Sequence, residues 1–109
     1  MRPQFQLTLD VPFGLVRIEG DLDLTADDYV SSVFEKLEGC GVRQIEADLA
    51  GVTFIDAYAL GQLRRIQRHV AVTGGQLHVV AGSERYIRTC RLARYDTLLP
   101  ENLLASGAS

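Results

Sequence analysis

Apolar and polar residues alternate near the start of the chain, before the spacing becomes helical. Phe5, Leu7 and Leu9 alternate with polar residues, which predicts a half-buried strand. A turn-forming run separates it from a second predicted strand over 15–19. We therefore expect the chain to open with a hairpin, followed by a loop over 20–24.

Helical spacing begins after that loop. Thr25 and Asp28 have the spacing of a capping box, so a first helix is predicted to start there, and Gly39 is predicted to end it. A second helix is predicted from Asp56 to about Thr73. The apolar positions that support these two helices are Tyr29, Val30, Val33, Phe34 and Leu37, and then Leu60, Leu63, Ile66 and Val70.

Strands alternate with helices along the rest of the chain. Residues 44–49 and 76–81 are predicted strands, and Ser83 is the predicted N-cap of a short third helix. Leu98 and Leu99 predict a last short strand. Strand–helix–strand units place parallel strands side by side through right-handed crossovers. We therefore predict one α/β domain, with helices packed against a mostly parallel sheet behind the hairpin.

The composition suits one globular domain, with 109 residues and a hydrophobic share of 47%. We expect a core over about 5–99 and a tail over 101–109 that frays from Ala105. Eleven basic against fourteen acidic residues give a net charge of −3, which argues against binding to nucleic acid. No apolar run approaches the roughly 20 residues of a membrane span, and no signal-peptide pattern is present. A cytoplasmic protein without membrane insertion is predicted.

Arginines are concentrated on the second and third predicted helices. Two interpretations stay open, a solvated face or a docking surface for an acidic partner, whose charge would affect association rate more than affinity. The residues are Arg64, Arg65, Arg68, Arg85, Arg88, Arg91 and Arg94.

The sequence lacks the common catalytic motifs, including the glycine-rich nucleotide loops, the serine nucleophile elbow and the zinc-binding helix motif. Cys40 and Cys90 are far apart and have no metal-binding spacing, so we expect two free, partly buried thiols. His69 and His78 are expected to be surface or packed side chains. We therefore expect a protein that is not an enzyme and has no catalytic residue, cofactor or metal.

Three aspartates leave one catalytic alternative open. Asp23, Asp48 and Asp56 fall at or near the carboxyl ends of predicted strands, the edge where α/β sheets bind ligands. Three carboxylates there could bind Mg²⁺ in a small enzyme. A phosphoaspartate receiver domain is disfavoured, because the only lysine, Lys36, lies on the first helix. A simpler role for Asp56 is the N-cap of the second helix.

Glu46 is unexpected on a strand predicted to lie inside a sheet, since such strands are usually apolar on both faces. We expect it to pair with His78 on the next predicted strand or with Arg17 on the previous one.

Three segments of the chain form a recognisable set. Gly20-Asp21-Leu22-Asp23 follows the second strand, and the specific block Asp48-Leu49-Ala50-Gly51-Val52-Thr53-Phe54-Ile55-Asp56 leads into Leu60-Gly61. Gly74-Gly75 then precedes a strand. Together these segments resemble the STAS domain family, the fold of bacterial anti-sigma factor antagonists. The resemblance runs from about Phe5 to Leu99. It implies a hairpin followed by strand–helix turns and no catalytic activity.

The resemblance also implies a regulatory mechanism that depends on partner switching. Family antagonists bind an anti-sigma factor, usually a kinase, and release its sigma factor until that kinase phosphorylates an Asp-Ser-[Ser/Thr]-Gly motif. Here the motif reads Asp56-Ala57-Tyr58-Ala59, with Tyr58 at the usual phosphoacceptor position. A phenol extends well beyond a serine hydroxyl, so we expect Tyr58 not to be phosphorylated by such a kinase. Thr53 is a poor substitute, because its apolar neighbours suggest that it is buried.

Tyr58 suits an aromatic anchor in a partner interface, although it could simply pack against its own loop. The alternative within the family is an accessory or scaffold subunit of a transporter or sensory complex. By this resemblance, the predicted partner-binding residues are Asp21, Asp23, Asp56, Ala57, Tyr58, Ala59 and Gln62.

Overall fold

Strands and helices alternate along residues 3–103, the part of the chain that this computed structural model describes. The strands are β1 (Gln4–Asp10), β2 (Phe13–Leu22), β3 (Gln44–Ile55) and β4 (Gln76–Gly82). The helices are α1 (Asp27–Gly39), α2 (Ala57–Val72) and α3 (Glu84–Ala93), with 3₁₀ turns at Leu24–Ala26 and Asp96–Leu98. Residues 101–103 add a last helical turn. The predicted tail from Ala105 onward lies outside the described residues.

The four strands form one mixed sheet in the order β1-β2-β3-β4. β1 runs antiparallel to β2 around a turn that contains a cis Val11–Pro12 peptide bond, whereas β2, β3 and β4 are parallel to one another. The Pro12 carbonyl accepts from the backbone N–H groups of Arg43 (2.8 Å) and Gln44 (2.9 Å), which ties this turn to the start of β3. The predicted α/β fold with an opening hairpin is confirmed.

One face of the sheet is buried against the helices, and within residues 3–103 the other face is open. Alternate apolar residues of β2, β3 and β4 point into the core, as the two-residue period of a strand requires. Together with side chains from all three helices, they form a single core cluster. Its largest fully buried members are Tyr86, Ile18, Leu22, Leu37, Leu49, Leu60 and Leu98.

Glu46 lies on the open face of the sheet and does not make the predicted pairing. Its side chain is exposed, because the helices of the described chain lie against the opposite face of β3. Arg17 pairs instead with Asp48 (3.3 Å), and His78 pairs with Glu101 (2.8 Å). The predicted pairing of Glu46 with Arg17 or His78 was therefore wrong.

The start of α1 differs from the predicted capping box. Both the backbone N–H (2.9 Å) and the hydroxyl (2.5 Å) of Thr25 donate to Asp23 Oδ1. That interaction belongs to the 3₁₀ turn, and the residue before α1 is Ala26, which has no side-chain cap. At its other end, α1 includes Gly39, and the chain turns at Gly41 in a left-handed conformation (φ +85°).

The remaining differences concern burial and strand ends. The predicted loop over 20–24 begins as strand, because β2 continues to Leu22. On β1, Leu7 and Leu9 are each 43% exposed, since this strand lies at the edge of the sheet. The predicted strand at Leu98 and Leu99 is replaced by a 3₁₀ turn and a bend. Both cysteines are free, but Cys40 is exposed and only Cys90 is buried.

Candidate functional site

The candidate site lies where β2 and β3 end and α2 begins. The parallel register aligns Leu22 with Ile55, so the two strands end side by side. The backbone N–H of Asp56 then donates to the Leu22 carbonyl (3.3 Å). This bond holds the loop before α2 beside the Asp21–Asp23 segment.

Asp56 is the N-cap of α2, as predicted. Its backbone is extended, and its Oδ1 accepts from the backbone N–H of Ala59 at 2.8 Å. The cap fixes where the helix starts, and Ala57 and Tyr58 stand exposed in its first turn.

A hydrogen bond to the start of α1 orients the side chain of Tyr58. Its hydroxyl donates to Asp27 Oδ2 at 3.2 Å, while 44% of the residue stays exposed. One helical turn further on, Gln62 is only 5% exposed. Its Nε2 donates to the Asp27 carbonyl (2.8 Å) and to the Ser31 hydroxyl (2.9 Å). The first turns of α1 and α2 are therefore held together beneath the exposed ring.

The seven predicted partner-binding residues divide into two groups. Ala57 and Tyr58 are exposed, and Asp21, Asp23 and Asp56 are partly exposed. Ala59 and Gln62 are buried, so their side chains support the surface from below.

Thr53 and Phe54 add to this surface, which the sequence reasoning did not foresee. Thr53 is exposed, contrary to the prediction, and its hydroxyl donates to Asp21 Oδ1 at 2.6 Å. That hydrogen bond lowers the pKa of Asp21 below its ordinary value. Phe54 is 40% exposed. The signal available in the sequence was the strand period, which places Thr53 on the face opposite buried Val52.

Comparison with known proteins identifies the family. The sequence model of the STAS domain matches residues 3–105. The chain belongs to the STAS domain family. Comparison with curated proteins gives no match.

Solved structures of anti-sigma factor antagonists share the fold of this STAS domain. An antagonist from Mycobacterium paratuberculosis is 16% identical with a TM-score of 0.76, over 98% of this chain and 95% of that one. The antagonist SpoIIAA in its unphosphorylated form is 15% identical with a TM-score of 0.74, over 96% of both chains. SpoIIAA of Bacillus in its phosphorylated form is 15% identical with a TM-score of 0.68, over 97% of this chain and 100% of that one. At these identities the likeness is one of fold.

Negative charge surrounds Tyr58 in this STAS domain. The segments 20–28 and 53–62, which build the site, contain five aspartates and no lysine or arginine. Such a surface is complementary to a basic partner.

The STAS domain does not assemble the magnesium site that the three aspartates suggested. Asp48 lies in the middle of β3, seven residues before the strand ends, where it contacts Arg17 and accepts from the Ala50 N–H (3.0 Å). Asp56 is engaged as a helix cap. Within residues 3–103, no group of three histidine, cysteine or acidic side chains could hold a metal ion. Over the same range, no helix is long and apolar enough to cross a membrane.

Proposed function

We propose that this STAS domain is an anti-sigma factor antagonist that binds a kinase-type anti-sigma factor in the cytoplasm and releases the sigma factor. It acts by binding and not by catalysis. The observation that carries this proposal is the exposed ring of Tyr58 in the first turn of α2, held by Asp27. The shared fold with SpoIIAA and the mycobacterial antagonist supports it.

The proposed contact surface centres on Tyr58. Tyrosine is favoured at interface hot spots because it combines a large apolar ring with a polar hydroxyl. Phe54 adds a second exposed aromatic ring, and Ala57 is small enough to let a partner approach the helix start. Asp21, Asp23 and Asp56 supply the acidic part of the surface, while Ala59 and Gln62 hold α2 in place beneath it.

We further propose that this antagonist lacks the phosphorylation switch of its family, because Tyr58 stands at the phosphoacceptor position. Its hydroxyl is hydrogen-bonded to the Asp27 carboxylate. A phosphate on that oxygen would place a dianion beside an aspartate, which like-charge repulsion disfavours. The length of the phenol is a second obstacle, since it would misplace the oxygen in the site of a serine kinase.

Substitution of Tyr58 tests the contact surface. We expect Tyr58→Ala to weaken binding to the anti-sigma factor by at least about tenfold, the usual effect of truncating a hot-spot residue. Tyr58→Phe keeps the ring and is expected to bind within about threefold of the natural protein. Isothermal titration calorimetry measures both.

The matched control for this test is Leu92→Ala, which truncates a 79% exposed side chain on α3. It should leave the affinity unchanged. Equal affinity of Tyr58→Ala and the natural protein would contradict the proposed surface. Failure of the natural protein to bind any anti-sigma factor of the source organism would favour an accessory subunit of a transporter or sensory complex.

A further inference from the structure

The two edge strands of the sheet, β1 and β4, differ in how much of the chain is bonded to their outer sides. At β4, the side chain of Gln67 donates to the carbonyls of Leu77 (3.2 Å) and Thr97 (2.9 Å), and Glu101 pairs with His78. The chain after α3 therefore lies along this edge. Among residues 3–103, the backbone of β1 is hydrogen-bonded to β2 alone.

The outer edge of β1 has few of the usual features that prevent pairing, since its only charged residue, Asp10, lies at the end of the strand. Its seven residues stay in continuous register with β2, without a bulge, proline, lysine or arginine. In an antiparallel ladder alternate residues direct their N–H and C=O groups away from the partner strand, so this edge offers unpaired groups. Leu7 and Leu9, each 43% exposed, add apolar surface beside them.

We propose that β1 pairs with β1 of a second copy of this chain, antiparallel and centred on Leu7. In this register Leu7 faces Leu7, Phe5 faces Leu9, Gln6 faces Thr8 and Gln4 faces Asp10. Residues directly opposite one another project from the same face of a sheet. Every apolar residue therefore meets an apolar residue, and the only charged side chain of β1 meets a neutral amide.

We assign the partner strand to a second copy of this chain because β1 is complementary to itself in this register. Pairing would join two four-stranded sheets into one, with the helices of both copies on the same side. A contact between two seven-residue strands is well below the roughly 1,600 Å² of a standard interface, so the dimer is expected to be weak and concentration-dependent. The inference is independent of the proposed function, since β1 is not part of the Tyr58 surface.

Disulfide trapping tests the register. In a Cys40→Ser background, which removes the exposed natural thiol, Leu7→Cys places the two new thiols directly opposite, with Cβ atoms about 5 Å apart. Leu9→Cys is the matched control, because Leu9 has the same exposure but would lie about 13 Å from its counterpart, four residues along the strand. Under oxidised glutathione we expect Leu7→Cys to cross-link at least tenfold faster. Equal rates, or a faster Leu9→Cys, would overturn the proposed register.

Sedimentation equilibrium of the natural sequence tests the dimer itself. The apparent mass should rise towards twice the monomer mass as the concentration increases. Leu7→Lys, which sets two lysines against each other at the centre, should remain monomeric, whereas Leu92→Lys on α3 should behave like the natural protein. Circular dichroism confirms that each variant is folded. A monomeric natural protein at millimolar concentration, or a dimer unaffected by Leu7→Lys, would overturn the proposal.

Discussion

Gln62 connects the exposed ring of Tyr58 to the interior of the domain. The Gln62 amide and the Tyr58 hydroxyl donate to different atoms of the same residue, Asp27. Both side chains are therefore held by the first residue of α1. A buried polar group whose hydrogen bonds are made stabilises the fold modestly, but removing one partner leaves the other unsatisfied at a larger cost.

Gln62→Leu is therefore expected to lower the free energy of unfolding by about 1–2 kcal/mol, since the Asp27 carbonyl and the Ser31 hydroxyl lose a donor. Urea denaturation measures the change. Val72→Ala, at an 85% exposed position at the end of α2, is the control and should stay within about 0.5 kcal/mol of the natural protein. A Gln62 variant as stable as that control would contradict the structural role of this amide.

Cys90 and Tyr86 predict a loss of stability in alkali. Burial raises the pKa of Cys90 from 9.0 to about 11 and also raises the pKa of Tyr86, whose hydroxyl donates to the Leu98 carbonyl (2.6 Å). The unfolded chain therefore loses these protons at a lower pH than the folded chain. The free energy of unfolding is expected to fall as pH rises from 9.0 to about 11. Urea titrations across this range should show a shallower fall for Cys90→Ala, and identical slopes would refute the assignment.

Single residues show where sequence reasoning succeeds. The N-caps Asp56 and Ser83 were predictable, because a short polar side chain directly before helically spaced apolar residues commonly caps the helix. Ser83 Oγ accepts from the Tyr86 N–H at 3.1 Å. Thr53 was misjudged because apolar neighbours in sequence are not neighbours in space on a strand. Glu46 was misjudged because its partner depended on which face of the sheet the helices cover.

At the scale of elements, the turn between α2 and β4 depends on Gly75. A Cβ atom added there would lie 2.2 Å from the Arg43 carbonyl oxygen, so the two backbone segments approach too closely for any other residue. Gly39, the last residue of α1, has open space around it and no left-handed backbone.

These two glycines give opposite predictions for the same substitution. Gly75→Ala should lower the free energy of unfolding by about 2 kcal/mol or more, because backbone must shift to admit the methyl group. Gly39→Ala should raise it by about 0.5 kcal/mol by restricting the unfolded chain. Thermal or urea unfolding compares them, and equal effects of the two substitutions would show that the close approach at Gly75 is absent.

Element identity could be predicted because the apolar spacing differs between strands and helices. The bounds were less predictable where tertiary contacts decide them. β3 extends through Gly51 to Ile55, although the predicted strand ended at Leu49, because parallel pairing with β2 continues to the end of both strands. Similarly, Leu98 is buried as part of a 3₁₀ turn, which gives the Tyr86 hydroxyl an acceptor in the core.

On the scale of the whole molecule, charge is unevenly distributed. The site around Tyr58 is built from segments without lysine or arginine, whereas seven of the eleven basic residues lie on or directly after α2 and α3. Within the described residues, none of these seven arginines forms an ion pair with a carboxylate. The arginines therefore give the α2 and α3 region a charge opposite in sign to that of the segments around Tyr58.

The position of the candidate site was predictable from the motif at the ends of β2 and β3, since parallel strands bring their carboxyl ends to one edge. Its internal support was not, because nothing in the sequence links Tyr58 or Gln62 to Asp27, some 30 residues earlier on α1. That link exists only after α1 and α2 are packed beside one another.

The most direct test of the central claim is a binding measurement between this protein and the anti-sigma factor kinases of the source organism, with and without ATP, followed by intact mass. An antagonist without the phosphorylation switch should form a complex that survives ATP, and the mass of the protein should not increase. Gain of a phosphate together with loss of the complex would contradict the account, because Tyr58 or Thr53 would then act as the phosphoacceptor.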